Sequence, residues 1–422
     1  MKQFVNKITL FTIFLDNLFL PLNFGFEFRL NYLVYLLFLF YYCFFVKKIK
    51  IDIKLIFYIG IVFIILFLVS HIKESSISLY IKQSVLIIYH LVFSYFLLNS
   101  YDFRFEKIIK DYLDIVMVIC FVAVFQYVSY FIRFSYGADF SYLGFDMGNL
   151  NPKTIRVQAW FQEPSFLAYS IMPAVFISLG KIFKISDFIS YKKAIAVLIV
   201  LLLSFSSIGY LGLIISLLII IFNKYSIIKK PRIMLVLVLV FIFSSIFFYN
   251  IPDIKLRVDD TYQLFMDESI TKKDIDSKNL STYAIYSNFR VTKEVASRNL
   301  FFGTGLGTYE DNYNKHINEV IPSSTLRDNY SLNKKDANSL FLRLLSEVGL
   351  FVLSLVLSFL FLNKISYSKV SDKNKIIWLF NNGIFVLILL RLIRQGHYTM
   401  LGFLFFTLIF YYTHKFYVKR VS

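Results

Sequence analysis

Residues 53–70 read IKLIFYIGIVFIILFLVS, a run whose single charge, Lys54, stands at its start. A helix rises about 1.5 Å per residue, so a run of this length crosses most of the ~30 Å hydrocarbon core of a bilayer. Any other backbone conformation there would leave N–H and C=O groups unpaired in lipid, so the run predicts a membrane helix. The same pattern of apolar run and short polar connection repeats along the chain. It gives about twelve spans, at 8–24, 30–46, 53–70, 80–98, 112–132, 165–180, 194–206, 208–222, 233–249, 339–362, 376–393 and 398–413. The expected fold is therefore all-α: a polytopic transmembrane helical bundle forming a single integral membrane domain over residues 1–422.

Composition agrees. A soluble chain of 422 residues would form two or three domains, but 58% of this chain is hydrophobic and 19% aromatic, with 50 phenylalanines. The interior of a soluble protein cannot hide so many rings, whereas lipid accepts them. The net charge of +18 does not mark a nucleic-acid-binding domain, because Lys and Arg sit in clusters between apolar runs. Lys47, Lys48 and Lys50 form one cluster, Arg104, Lys107 and Lys110 the next, and Lys181, Lys184, Lys192 and Lys193 another. Lys224, Lys229, Lys230 and Arg232 follow, then Lys364, Lys369, Lys373 and Lys375, and finally Lys415, Lys419 and Arg420. All fall on one side of the membrane if both termini are cytoplasmic, as the positive-inside rule requires. Lys2, Lys7 and Asp16 border or interrupt the first run, and no small-residue cleavage site follows, which predicts a retained first helix. Cys43 and Cys120 lie inside apolar runs and offer neither a disulfide framework nor a thiolate metal site.

On the opposite side two connections are too long for turns: the first outer loop, 133–164, and a large extracytoplasmic loop, 250–338, between the ninth and tenth spans. Ile285, Phe289, Thr292 and Ala296 recur at helical spacing, predicting a short amphipathic helix on the membrane surface, so the loop is partly helical. Gly303, Gly305 and Gly307 predict a tight turn there rather than a nucleotide site, which would need a strand before it and a helix after.

Several polar residues stand out against this background. Glu163 precedes Pro164 at the predicted start of the sixth helix, where the helix dipole favours a carboxylate; a second, compatible reading has it and Arg156 face a substrate at the outer surface. Arg343 and Glu347, four residues apart on the tenth span, share a face and read as a structural ion pair. Arg391 and Arg394, one turn apart at the end of the eleventh span and followed by His397, suit a phosphate or pyrophosphate, since each guanidinium presents a planar fork of donors. The plainer reading of this pair is snorkelling to lipid headgroups, and Arg290 in the large loop has the same two readings. His71, His90, His316, His397 and His414 are scattered without metal-ligand spacing, so neither a metal nor another cofactor is expected.

Three stretches resemble a known family. RVQAWFQEPSFLAYSI (156–171) carries an Arg-then-Glu-Pro entry into a helix. FRVTKEVASRNLFFGTGLGTY (289–309) carries an Arg helix followed by a Phe-Gly-x-Gly turn. DANSLFLRLLSEVGLF (336–351) carries an Asn-led helix with a Glu-x-Gly signature. In order, spacing and placement they resemble the O-antigen polymerases (Wzy type) and, more remotely, the O-antigen ligases of the same superfamily. The resemblance implies an enzyme of the bacterial cytoplasmic (inner) membrane, a glycosyltransferase that joins oligosaccharide repeat units carried on polyprenyl pyrophosphate into O-antigen or capsular polysaccharide. Its partners would be the lipid-linked oligosaccharide, membrane lipids and a chain-length regulator protein. Arg156 and Arg290 would stabilise the departing pyrophosphate, with Arg391, Arg394, His397 and Asn338 as further substrate-binding residues. Glu163 is the best-placed carboxylate for a base, with His316 and His397 behind it. The ligases resemble one another in a histidine at the outer entry to the helix that here starts near Asn338. This chain has Lys334, Lys335, Asp336 and Ala337 there, which favours polymerase over ligase. A ligase, a lipid-linked oligosaccharide flippase or other transporter, and a non-catalytic scaffold are the competing readings. Transporters usually show repeat symmetry, and no internal repeat is visible.

Overall fold

The computed structural model describes residues 2–23, 27–45, 50–72, 76–148, 156–225, 252–266, 272–321, 331–367 and 374–421. The chain opens with α1 (Lys2–Thr12), a hairpin of β1 (Phe19–Asn23) and β2 (Glu27–Arg29), α2 (Leu30–Phe45), α3 (Ile53–Ile72), α4 (Ile77–Ser100) and α5 (Phe105–Phe131). Then come α6 (Pro164–Ile182), α7 (Tyr191–Leu203) and α8 (Ser207–Tyr225). Four helices form a polar cap: α9 (Pro252–Met266), α10 (Lys272–Ser277), α11 (Leu280–Asn299) and α12 (Tyr309–Val320). The chain ends with α13 (Leu340–Leu362), α14 (Lys375–Ile393) and α15 (Phe403–Val421). Among the described residues, α3, α4, α6, α8, α13 and α14 are long and apolar enough to cross a membrane. Of the other expected spans, 30–46 and 194–206 fall on the 16-residue α2 and the 13-residue α7, both shorter than the six. Spans 112–132 and 398–413 fall on α5 and α15, which are not among the six, and 233–249 lies outside the described residues. The chain is thus a mostly helical multi-pass membrane protein with six candidate spans.

The expected first span, 8–24, is corrected by the structure. Its helix stops at Thr12 and the chain turns into β1, which pairs antiparallel with β2. The cause is Asp16. Buried at 2% exposure, it needs partners that a continuing helix would not supply. It accepts from Asn31 Nδ2 at 2.7 Å and from the Leu401 N–H at 3.0 Å, and pairs with Arg29 at 3.1 Å. This hairpin is the one departure from an all-α fold among the described residues.

Helices α6 and α14 form the centre, each 89% buried over its apolar window, whereas α3, at 11%, lies at the periphery. Small residues let the centre close: a Cβ at Gly383 would come within 2.8 Å of Pro173 Cα, and one at Gly180 within 2.5 Å of Leu379. Pro173 lies inside α6, and the Tyr112 hydroxyl inserts into the ladder nearby, donating to Ser170 O at 3.0 Å and accepting from the Ala174 N–H at 3.2 Å. The cap has its own core of Leu264, Tyr283, Val291, Val295, Tyr309 and Tyr313. Helix α11 buries Tyr283, Ser287, Val291 and Val295 against α12 and α13, while Phe289 is exposed. Of the predicted stripe, Thr292 and Ala296 are buried with this face and Phe289 lies outside it.

Candidate functional site

The site forms where the cap meets the ends of α6, α13 and α14. Helix α13 is broken at Gly349, whose backbone (φ +71°, ψ −177°) is open to glycine but strained for any L side chain. The loop before α12 docks into that break. Leu350 N–H donates to Leu300 O at 2.8 Å and Phe351 N–H to Phe301 O at 3.1 Å, while Thr304 and Gly305 N–H donate to Ser346 O and Glu347 O at 3.0 and 2.8 Å. Backbone approaches backbone so closely that a Cβ at Gly303 would sit 2.5 Å from Glu347 C. The glycine turn expected against the membrane therefore seals a gap in a helix.

Glu347, fully buried, gathers the donors around this joint. Arg343 Nε donates to Oε1 at 2.9 Å, Gly307 N–H to Oε2 at 3.0 Å, Tyr309 N–H to Oε1 at 3.3 Å and the Tyr398 hydroxyl to Oε2 at 2.9 Å. Arg343 also donates to Gly396 O at 3.2 Å and to Gln83 Oε1 at 3.2 Å, and lies 4.3 Å from the Tyr398 ring centroid. The two residues are a pair, and each is also tied to other elements. An arginine at 347 would leave the two loop N–H groups facing a cation, so the pair is not exchangeable.

Beside it, Tyr169 of α6 organises a ring of charge. Its hydroxyl donates to Arg394 O, the Arg391 guanidinium lies 5.1 Å from its ring centroid, and the charges of Arg391, Arg394, Glu163 and Asp336 all act on that hydroxyl. Glu163 is exposed just ahead of Pro164 and accepts from Ser165 Oγ at 2.9 Å, without capping the helix through its side chain. Arg391 and Arg394 do not point the same way. Helix α14 ends at Ile393 and Arg394 leaves it in extended conformation, its Nη2 donating to Ser281 Oγ of α11 at 2.9 Å. Arg391 stays inside, 1% exposed, with Nη2 on Met400 O at 2.8 Å.

Arg391 Nε and Nη1 have no hydrogen-bond partner among the described residues, and neither has Asn338 Nδ2. Burying donors without acceptors costs on the order of 1–3 kcal/mol each. All three unpartnered atoms are donors, and an acceptor oxygen is what would satisfy each. His397 lies beside them, its Nε2 3.4 Å from Asp336 Oδ2.

Two expected residues sit elsewhere. Arg156 lies by the α7–α8 corner, where its neighbour Val157 donates its N–H to Leu203 O at 3.2 Å, and its charge reaches the Tyr210 hydroxyl. Arg290 is exposed on the cap, donating to Val320 O at 3.3 Å. It stands nine residues beyond Ser281, about 13 Å along α11. His316, on α12, holds Glu319 at 2.7 Å. Sequence reading passed over Asp336, Tyr169, Tyr398 and Gln83. Tyr169 and Asp336 stood inside quoted motifs, but nothing local marks them. No group of three or more His, Cys, Asp or Glu able to hold a metal occurs among the described residues.

Buried arginines beneath a helical cap, on a bundle whose helix α13 is interrupted where it meets the site, place this site in a multi-pass membrane protein. Residues 194–357, less than half of the chain, match the O-antigen ligase family model. The match takes in α7, α8, the cap and α13 up to residue 357, and so includes Arg290, Asn338, Arg343 and Glu347; Arg156, Glu163, Arg391, Arg394 and His397 lie outside it. No curated protein and no solved structure matches the chain.

Proposed function

We propose that this protein polymerises polyprenyl-pyrophosphate-linked oligosaccharide repeat units into O-antigen or capsular polysaccharide at the outer face of the cytoplasmic membrane. The observation that carries the reading is the set of unpartnered buried donors, Arg391 Nε and Nη1 and Asn338 Nδ2, beside Arg394. A glycosyl pyrophosphate supplies the missing acceptors. As the acceptor hydroxyl attacks the anomeric carbon, the bond to the pyrophosphate breaks and negative charge grows on the leaving group. Donors already in place stabilise that charge without reorganising. The sugar–pyrophosphate bond is itself activated, so no nucleotide is needed. Arg391 and Arg394 take the leading role, and Arg156 and Arg290, away from this ring of charge, hold the glycan or carrier further out.

Transfer of a finished glycan to a lipid core acceptor, the ligase reaction, is the same chemistry with a different acceptor. Chain-length analysis of surface glycan in a deletion strain separates the two. Loss of a polymerase leaves surface molecules bearing a single repeat unit, while loss of a ligase leaves polymer on its carrier and none on the core. An unchanged ladder of lengths would exclude both.

A further inference from the structure

His397 and Asp336 stand on two segments that the fold clamps together. Gln395 N–H donates to Asn338 O at 3.0 Å, Ser339 Oγ to Leu392 O at 2.7 Å, and Arg343 Nη1 to Gly396 O at 3.2 Å. Gly396 leaves no space for a side chain, since a Cβ there would fall 1.5 Å from Asp336 O. Asp336 is buried, and its Oδ1 accepts from the Asn338 N–H at 3.2 Å and from Asn333 Nδ2 at 3.3 Å. Oδ2 is left for His397 Nε2 at 3.4 Å. That is long for a hydrogen bond, the kind of loose pairing that tightens when substrate binds. Assigning the ring proton to Nε2, the nitrogen nearer the carboxylate, puts the lone pair on Nδ1, for which no hydrogen-bond partner is found among the described residues. The side chain keeps 36% of its surface open.

We propose that His397, oriented by Asp336, is the general base that takes the proton of the acceptor hydroxyl. This rests on the glycosyl-transfer reading above. The acceptor oxygen forms its bond to the anomeric carbon, its proton passes to Nδ1, and the carbon–oxygen bond to pyrophosphate breaks with the electron pair leaving on the pyrophosphate beside Arg391 and Arg394. Glu163, the other carboxylate of the ring, has a hydrogen bond from Ser165 and no partner that orients it toward an acceptor. Asp336 is a positioning residue.

The groups facing the ring come from several elements: Asp336 ahead of α13, Arg343 within it, Arg391 from α14 and Arg29 from β2. Crowding by the surrounding protein, with the charges of Arg343, Arg29 and Arg391, holds the imidazole at about 4, below its ordinary value of 6.5, while Asp336 pulls upward. The ring is therefore unprotonated at neutral pH. A pyrophosphate bound on the arginines offsets their charge and raises the pKa, strengthening the base when the donor is in place. The acid limb of kcat should then lie at higher pH than that of kcat/KM, because the first reports the loaded site and the second the empty one.

The test uses the full chain in lipid nanodiscs with lipid-linked oligosaccharide extracted from a strain lacking the protein. His397→Gln should lower kcat about 100-fold or more with little change in KM. Asp336→Asn removes the upward pull, so its acid limb should move to lower pH as its rate falls; a purely structural carboxylate would leave the profile in place. Should His397→Gln insert poorly, His397→Ala assayed with added imidazole replaces it, and the expected result is recovered turnover. Wild-type kcat in His397→Gln, an unmoved limb in Asp336→Asn, or no recovery with imidazole would each overturn the proposal while leaving the transfer reading intact. Absence of transfer by the wild-type chain would remove both.

Discussion

Arg391→Leu should abolish polymerisation while leaving the protein as stable as before, or more so. The guanidinium is buried between the rings of Tyr169 and Phe403, 5.1 and 5.3 Å from their centroids, and two of its three nitrogens lack a hydrogen-bond partner among the described residues. A buried charge without an ion-pair partner is a cost that an apolar residue of similar length removes. Thermal unfolding in detergent should therefore show a neutral change or a gain of about 1–3 kcal/mol, the worth of the unsatisfied donors. In a deletion strain complemented with the variant, the ladder of surface glycan should collapse to one repeat unit. Arg391→Lys keeps the charge but loses the fork of donors, and should retain part of the ladder. A variant that is destabilised yet fully active would place Arg391 in the scaffold instead.

Gly349→Ala should fail in the opposite way, through folding. The added Cβ would meet Phe301 O at 2.4 Å, backbone against backbone, at a φ that alanine rarely adopts. Strain at such a position costs about 1–3 kcal/mol before the clash is counted, and the joint it would spread apart also holds the donors to Glu347. Membrane-inserted protein should fall several-fold. Gly60→Ala provides the contrast: nothing lies within 4 Å of its Cβ on α3, and alanine is about 1 kcal/mol the better helix former. Equal accumulation of the two variants, measured by quantitative blotting of membranes, would mean that the break in α13 is not needed.

The break at Gly349 also marks where sequence reading stops. The stretch 53–70 announces itself because lipid imposes one solution on a long apolar run. Arg343 and Glu347 announce themselves because helical spacing places them on one face. What spacing cannot reveal is a partner from elsewhere in the chain. Asp16 ends the first helix because Arg29, Asn31 and Leu401 collect around it, the last 385 residues away. Gly303 read as part of a local turn and Gly349 as one letter of a Glu-x-Gly signature, yet each matters because of the other. The arginines at 391 and 394 read in sequence as a pair suited to an anion, but their divergence depends on α14 ending between them. Histidine is absent from the entry to α13 in sequence, and His397 reaches that entry only because residues 394–397 fold back onto 336–339.

The proposed function makes its most direct commitment in a closed system. Purified chain, reconstituted in nanodiscs with extracted lipid-linked single repeat units and no other acceptor, should yield carrier-linked products of two, three and more repeats, together with free polyprenyl pyrophosphate in proportion to the bonds made. Starting material that stays as single units, with no carrier released, would contradict it.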